Sequence, residues 1–234
     1  MKLAYFAFDI FAPSNTAGFV HTFEISQCLA RKHTLKLYTI PPPRRILHLH
    51  RWNTIINQLP VEYVRFTLWF KPYLIPLLPL NAVSYHRVSR QLASFKPELV
   101  HERFHTPNPF GWRLARKHSL PRVLEVNSLY IEDGTYRNPV FNRIAELDRT
   151  AQFQHADALI TQTETLRKLL AELSDAPTYV VANGVNTQHF TPNIDTMQLR
   201  RELGIPVDSV VVTFSGSFRD WHGVHLVPEI AEKI

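Results

Sequence analysis

The sequence predicts a protein of the α/β class, built on a doubly wound parallel sheet. Short apolar runs alternate with helical patterns along most of the 234 residues, an order that places helices on both faces of such a sheet. The apolar runs are rich in Val, Ile and Leu without clean alternation, as expected for strands buried on both sides. Hydrophobic residues make up 45% of the chain, enough for one large core and a small second unit. The predicted sheet is therefore Rossmann-like.

The elements follow one another regularly along the chain. Strands are predicted at residues 2–8, 34–39, 97–101, 121–126, 157–161, 178–182 and 209–214. Residues 9–18 are dense in turn residues and predict a loop, and residues 19–31 predict the first helix. The core-facing surface of that helix is predicted to comprise Phe19, Val20, Phe23, Ile25 and Leu29.

Residues 41–80 interrupt this order and predict an insertion or an irregular helix pair. Two interpretations stay open: a helix pair packed on the sheet, or a surface for peripheral membrane contact. Residues 41–120 hold twelve Lys or Arg and three acidic residues, whereas the whole chain has a net charge of +6. Such a block favours an anionic partner, or it is a solvated basic face. No RNP motif or Cys/His finger is present, so we expect no nucleic-acid partner.

Cysteine usage and hydropathy indicate a location. The single cysteine, Cys28, excludes an internal disulfide framework and fits a reducing compartment. The best candidate for a membrane span, residues 72–86, is uncharged but short and carries three prolines. We therefore expect a cytoplasmic protein, with the inner face of the membrane as an alternative site.

A domain boundary is predicted at residues 183–207. Asn183-Gly184 permits a turn, Pro192 stops regular structure, and a short helix ends at Gly204. This linker separates a Rossmann-like domain at 1–182 from residues 208–234, which predict the first strand and helix of an incomplete second domain.

Three stretches are expected to meet at the carboxyl edge of the sheet, where open parallel sheets bind ligands. The first is the loop at 13–18, whose backbone amides at a helix N-terminus can contact phosphate. Its alternative role is a helix cap with Asn15 or Thr16 at the N-cap. The loop lacks the G-x-G-x-x-G fingerprint, which argues against a nicotinamide cofactor. On the following helix, His21 and Glu24 share a face, either as a polar pair facing the cleft or as an inert surface pair.

The other two stretches end later strands. Polar side chains His101 and Arg103 stand at one strand end, where arginine suits a phosphate or carboxylate. The letters 101–105 satisfy H-E-x-x-H, but a strand-to-loop context argues against a metal site. At the next strand end, Glu125 and Asn127 could orient an acceptor hydroxyl or support a general base, or form a capped turn.

Together these residues resemble family 4 glycosyltransferases, which are retaining enzymes of the GT-B fold with two facing Rossmann-like domains. The similar strings are His21-x-x-Glu24 after the glycine-containing loop, HERFHTPNPFGWRLARKHSLPRVLEVN (101–127), ADALITQTETLRKLL (156–170), NGVNTQHFTP (183–192) and VVTFSGSFRDWHGV (211–224). The pair formed by the last two strings is the most specific part.

The resemblance implies a division of labour, in which the N-terminal domain binds the acceptor and the C-terminal domain binds most of the nucleotide sugar. Asn127 falls where many members have a histidine beside the reacting sugar. Ser217 and His222 replace the Arg and Lys that contact the diphosphate in many members, and Arg219 is a candidate substitute. The expected site residues are catalytic His21, Glu24 and Asn127; donor-binding Thr16, Ala17, Gly18, Gly216, Ser217, Arg219 and His222; and acceptor-binding His101, Arg103 and Glu132.

The resemblance also implies a function. The expected reaction moves a sugar from a nucleoside diphosphate sugar to a glycan or lipid-linked acceptor, as in polysaccharide or glycolipid biosynthesis. The nucleotide sugar is a co-substrate, and no cofactor or metal is expected. The chain is expected to be a fragment that is inactive alone. The alternatives are a non-catalytic acceptor-binding subunit that needs a separate donor-domain polypeptide, and a nucleotide-binding oxidoreductase.

Overall fold

The computed structural model describes residues 1–14, 16–41, 61–63, 78–108, 110–129, 139–188, 190–216 and 222–233. The chain divides into two compact units, Met1–Asn183 and Gly184–Ile234. The finer division at 182 and 207 stays a prediction. Strands of the first unit are β1 Lys2–Phe11, β2 Thr34–Ile40, β3 Val61–Tyr63, β4 Leu99–Arg103, β5 Arg122–Val126, β6 Ala158–Thr161 and β7 Thr178–Val180. Its described helices are α1 Ala17–Ala30, α2 Leu78–Phe95, α3 Phe110–Lys117, α4 Pro139–Gln154 and α5 Glu164–Ala171.

The seven strands form one sheet in the order β3-β2-β1-β4-β5-β6-β7, and every neighbouring pair is parallel. The predicted α/β, doubly wound parallel sheet is thereby confirmed. The order reverses between β1 and β4, so the connections leaving these two strands run to opposite sides of the sheet. In doubly wound sheets the ligand crevice lies at the carboxyl ends of the strands at this point, and the sequence places its polar side chains there.

Side chains of β1 alternate between two hydrophobic cores. Leu3, Tyr5 and Ala7 pack on the face that also holds Phe19 and Phe23 of α1. The intervening residues of β1 face the other core, which contains residues of α2 and α3. Since the strand is buried on both faces, it reads as the continuous apolar run from which it was predicted.

Element boundaries differ from the prediction at several points. β1 runs on to Phe11, and α1 already begins at Ala17. The strand predicted at 97–101 lies at Leu99–Arg103, so His101 occupies its middle rather than its end. Val20 was predicted in the core but is exposed. The segment 41–80 contains β3, which the sequence reading missed, and most of the remaining segment lies outside the described residues.

The second unit contains α6 Met197–Glu202, a 3₁₀ turn at Val224–Leu226 and α7 Val227–Ala231. The predicted short helix ends as expected before Gly204, which has a φ of 67°. Within the described residues, 209–214 form no strand, so that prediction was wrong. A strand is held by hydrogen bonds to a neighbour, and no described segment pairs with this one.

A buried polar network lies behind the crevice, on the face of the sheet covered by α3 and α4. Glu102 is fully buried and accepts hydrogen bonds from Arg122 Nε at 2.5 Å and from Asn108 Nδ2 at 2.9 Å. Burial raises the pKa of Glu102, and the adjacent Arg122 acts in the opposite direction. A Cβ atom on Gly111 would lie 1.7 Å from Glu102 Oε1, so only glycine fits beside this carboxylate. Among the described helices, none is long and apolar enough to cross a membrane.

Candidate functional site

The candidate site lies at the carboxyl ends of β1, β4 and β5, beside the first turns of α1. In the strand register, Tyr5 stands opposite His101 and Arg103 stands opposite Glu125. These side chains point to the α1 face, because residues of alternate strand positions share a face. The sheet and one helix thus gather ionisable groups that are far apart in the sequence.

Glu125 is the centre of this cluster, and its side chain is only 4% exposed. His21 Nε2 from α1 contacts its Oε1 atom. His101 Nε2 lies 3.1 Å from its Oε2 atom, and the buried Tyr5 hydroxyl donates to the same oxygen at 3.1 Å. The rings of Tyr5 and His101 stack with their centroids 4.4 Å apart. Three side chains therefore converge on one carboxylate.

The surroundings keep this carboxylate charged. Burial raises the pKa of Glu125, but the hydrogen bonds and charges of His101 and His21 outweigh burial and hold that pKa well below its usual range. Burial, reinforced by the negative charge of Glu125, raises the pKa of Tyr5 well above its usual value. Tyr5 is consequently a permanent donor at neutral pH, and Glu125 is a permanent acceptor.

Arg103 brings a positive charge to the start of α1. Its Nε donates to Asp9 Oδ2 at 2.9 Å, and its NH1 atom lies 3.9 Å from Glu125 Oε1. Burial alone would lower the pKa of Arg103, but Asp9 raises it, so the guanidinium is charged. A Cβ on Gly18 would lie 2.9 Å from Ile10 Cδ1, so glycine makes room for Ile10, and 3.5 Å from Arg103 NH2, an ordinary van der Waals contact.

The predicted phosphate loop forms the start of α1. Thr16 is the N-cap, as the helix-cap alternative predicted, and its hydroxyl accepts from the Phe19 amide at 3.2 Å. Ser14 Oγ lies 2.9 Å from Thr16 Oγ1. Ala17 is exposed and Gly18 half-buried at this helix end. The first turn of a helix also has amides without intrahelical partners, and such amides can bind phosphate. Phosphate contact by this loop stays a prediction.

The structure separates some residues that the sequence reading paired. His21 has Glu125 as its partner, whereas Glu24 is exposed to solvent three residues further along the helix. Asn127, just beyond β5, accepts a hydrogen bond from Gln162 Nε2 at 2.6 Å. His101 belongs to a strand and His105 to the following loop, so the H-E-x-x-H letters do not lie on a helix. The catalytic roles of these residues stay predictions.

Two of the predicted donor-binding residues lie close together in the second unit. A Cβ on Gly216 would lie 3.5 Å from His222 Nδ1. Ser217 and Arg219, predicted as donor contacts, and Glu132, predicted as an acceptor contact, lie outside the described residues.

Sequence reasoning missed two members of the cluster. Tyr5 lies within the apolar run of β1 and is buried. The feature of the sequence that could have identified it is its hydroxyl group, which needs a hydrogen-bond partner when buried. Asp9 was placed in a loop, whereas β1 includes it and carries it to Arg103. Glu125 was recognised as an edge carboxylate, but its two histidine partners are 104 and 24 residues away in the sequence. Residues so far apart in the sequence come together only when the chain folds.

Comparison with known proteins adds independent findings. The model of Glycosyltransferase Family 4 matches residues 18–189. A D-inositol 3-phosphate glycosyltransferase of Corynebacterium jeikeium is 30% identical over 169 residues, which are 62% of this chain and 40% of that protein. Its counterpart in Acidothermus cellulolyticus is 32% identical over 123 residues, which are 51% of this chain and 26% of that protein. The chain spans about two fifths of the length of the corynebacterial relatives it matches.

Solved structures agree on the fold. Anabaena HepE in complex with UDP-glucose has a TM-score of 0.67 at 15% identity, covering 99% of this chain and 57% of that chain. Sucrose-phosphate synthase from Thermosynechococcus elongatus has a TM-score of 0.68 at 13% identity, covering 100% of this chain and 60% of that chain. At these identities the similarity establishes the Rossmann-like fold of the GT-B type.

Proposed function

The chain belongs to glycosyltransferase family 4, as its motifs predicted, and on that premise we propose that it is the acceptor-binding part of a sugar-nucleotide-dependent glycosyltransferase. The proposed reaction moves a sugar from a nucleoside diphosphate sugar to an acceptor hydroxyl. HepE, a neighbour in fold, was solved with UDP and with UDP-glucose, which supports a uridine nucleotide sugar as the first donor to test. Retention of the anomeric configuration and the absence of a cofactor are further parts of the proposal.

The observation that carries this proposal is the cluster around Glu125 at the crevice of the parallel sheet. Imidazole, carboxylate and guanidinium groups stand together where ligands enter such a sheet. Imidazoles suit the hydroxyl groups of a sugar or polyol, and Arg103 suits an anionic group on the acceptor. The relatives are named for D-inositol 3-phosphate, a phosphorylated polyol that would use both kinds of group. A glycan or lipid-linked acceptor is the broader expectation from the family.

Acceptor binding can be measured on the chain itself. We expect D-inositol 3-phosphate to bind in isothermal titration calorimetry, and Arg103→Gln to weaken binding by about tenfold or more, since charged hydrogen bonds contribute about 1.5–3 kcal/mol. Arg113→Gln is the matched control, because Arg113 is exposed on α3, which covers the opposite face of the sheet. Equal affinities of the two variants would contradict the assignment of Arg103 to the acceptor.

Transfer is the second measurement. Incubation of the chain with a panel of nucleotide sugars and acceptors, followed by mass spectrometry, is expected to give no glycosylated product. Addition of a donor-binding polypeptide of the same family is expected to give product. Product from the chain alone would refute the division of labour, and no product in any combination would refute the proposed function.

A further inference from the structure

The basic block at residues 41–120 keeps its positive charge in the folded chain. It holds twelve Lys or Arg and three acidic residues, and each acidic residue has a partner outside the block. The three pairs are Glu62 with Lys36, Glu98 with the main-chain amide of Lys2, and buried Glu102 with Arg122. The function proposed above uses one cation of the block, Arg103, and leaves the others unexplained.

Two neighbouring helices present cations of this block on one side of the sheet. α2 and α3 both pack on the core opposite α1, and the Lys117 ammonium of α3 lies 5.5 Å from the centre of the Tyr85 ring of α2. The Tyr85 hydroxyl also donates to the main-chain oxygen of Arg113 at 3.4 Å. Neither helix contains an acidic residue. Their exposed cations are Arg87, Arg90, Arg113, Arg116 and Lys117.

These five cations form no ion pair with any carboxylate in the part of the chain that the structure describes. Cations on other helices are paired along the same helix. Arg143 of α4 lies 3.6 Å from Glu146, and Arg167 of α5 contacts Glu164. Several cations of one sign on one surface add up to a positive potential. The exposed side of α2 and α3 therefore attracts an anionic partner more strongly than the mixed surfaces of α4 and α5 do.

An exposed apolar side chain accompanies the cations. Val83 is 65% exposed and lies four residues before Arg87 and seven before Arg90, a spacing that places all three on one face of α2. We call Val83 and the five cations the α2–α3 face. An apolar side chain among cations suits the surface of an anionic bilayer, where cations meet the lipid headgroups and apolar groups enter the headgroup boundary. The sequence contains no RNP motif or Cys/His finger, which argues against nucleic acid as the partner.

We propose that the α2–α3 face binds the chain to a membrane surface that contains anionic lipid. The crevice lies beside α1, which packs on the other side of the sheet, so membrane binding uses side chains that the proposed acceptor site does not use. The inference goes beyond the proposed function and can be tested without sugar transfer. A cation near an anionic bilayer contributes about fivefold to the partition coefficient.

Co-sedimentation with lipid vesicles measures this partition directly. We expect the chain to sediment with vesicles of phosphatidylglycerol and phosphatidylcholine at about 0.1 M salt, and to stay in solution with vesicles of phosphatidylcholine alone. Raising the salt to about 1 M should release it, because the Debye length falls from about 10 Å to about 3 Å. Absence of sedimentation with the anionic vesicles would overturn the proposal.

Two triple variants separate the face from net charge. One removes three cations of the face: Arg87→Gln, Arg90→Gln and Lys117→Gln. The matched control removes the same charge from exposed positions elsewhere: Arg31→Gln, Lys32→Gln and Lys168→Gln. We expect the first variant to lower the partition coefficient by about 100-fold and the control to lower it by less than about fivefold. Equal losses would show that net charge alone attracts the vesicles, and the assignment to this face would be wrong.

A pair of single variants tests the apolar contact. Val83→Asp is expected to lower the partition coefficient by about tenfold or more, because it removes an apolar contact and adds a charge that the bilayer repels. Val140→Asp on α4 is the matched control, since Val140 is 64% exposed, and should change the partition by less than about threefold. Circular dichroism of every variant should match the wild type. Equal effects of the two aspartates would contradict the contact of Val83 with lipid.

A soluble polyanion is the competing partner. If the chain binds inorganic polyphosphate in solution and does not sediment with anionic vesicles, the face binds a polyanion and the proposed membrane contact is wrong. The vesicle assay contains neither donor nor acceptor, so a failure of sugar transfer leaves its outcome unchanged. A failure of vesicle binding in turn leaves the proposed glycosyl transfer untouched.

Discussion

Replacement of Gly111 by alanine tests the buried network that fixes β4 behind the site. An alanine Cβ at this position would lie 1.7, 2.1 and 2.2 Å from three atoms of the Glu102 carboxyl group. A carboxylate at the end of a flexible side chain could normally move away. Here it is bonded to Arg122 and Asn108 and is completely buried, so movement breaks both hydrogen bonds. We therefore expect Gly111→Ala to break the ion pair between Glu102 and Arg122.

The cost follows from the separate physical effects. Overpacking costs about 1–3 kcal/mol, and disruption of a buried ion pair costs about 3–5 kcal/mol. The higher helix propensity of alanine would offset this cost by about 1 kcal/mol in α3. A net loss of about 3–7 kcal/mol in the free energy of unfolding follows. For a unit of this size, each kcal/mol lowers Tm by about 2–4 °C, so the fall in Tm is roughly 6–28 °C.

Urea unfolding followed by far-ultraviolet circular dichroism measures this loss. Gly184→Ala is the matched control, because a Cβ there meets nothing within 4 Å and Gly184 has no positive φ. We expect the control to stay within about 0.5 kcal/mol of the wild type. If Gly111→Ala is as stable as Gly184→Ala, the carboxylate can relax without loss, and the reasoning about this network is wrong.

Three further predictions concern the site. The pKa of Glu125 in the folded protein lies below the unfolded value of 4.5, so ionised Glu125 stabilises the fold above that pH and the stabilisation is lost below it. In urea titrations at acid pH, the difference in unfolding free energy between the wild type and Glu125→Gln should shrink by up to about 1.4 kcal/mol per pH unit. A constant difference would refute this. Thr16→Ala should cost about 1 kcal/mol of stability by removing the hydroxyl that accepts from the Phe19 amide, and no loss in urea titration would contradict that cap. Gly18→Ala should displace Ile10 and place a methyl group in van der Waals contact with Arg103. This narrows the space beside the guanidinium and should weaken D-inositol 3-phosphate binding in calorimetry, and unchanged affinity would separate Gly18 from the acceptor.

The sequence predicted the fold well because the physics of a doubly wound sheet is local. Each buried strand is a short apolar run, and each helix has a periodic face, so β1, β2 and β4 to β7 were found within a few residues. β3 was missed because three residues at a sheet edge bury too little to leave an apolar run. The strand at 209–214 was predicted from its valines alone, and an apolar run does not form a strand without a pairing partner.

The candidate site was predicted less completely, since contacts across the sheet depend on register. The sequence predicted His21, Arg103 and Asn127 at the carboxyl edge of the sheet, because strand ends and helix starts mark that edge. His101 was predicted at a strand end but lies in the middle of β4. Helical spacing paired His21 with Glu24, whereas the observed partner comes from β5. No local sequence pattern predicts which of several nearby carboxylates a histidine contacts.

Burial decides that choice between the two carboxylates. Glu24 is exposed, so water solvates it well and a contact with His21 would gain little free energy. Glu125 is 4% exposed and must find donors inside the protein, because an unpartnered buried charge is costly. Tyr5 and the two histidines meet that requirement. The need to solvate one buried carboxylate therefore brings together the side chains on which acceptor binding is proposed to depend.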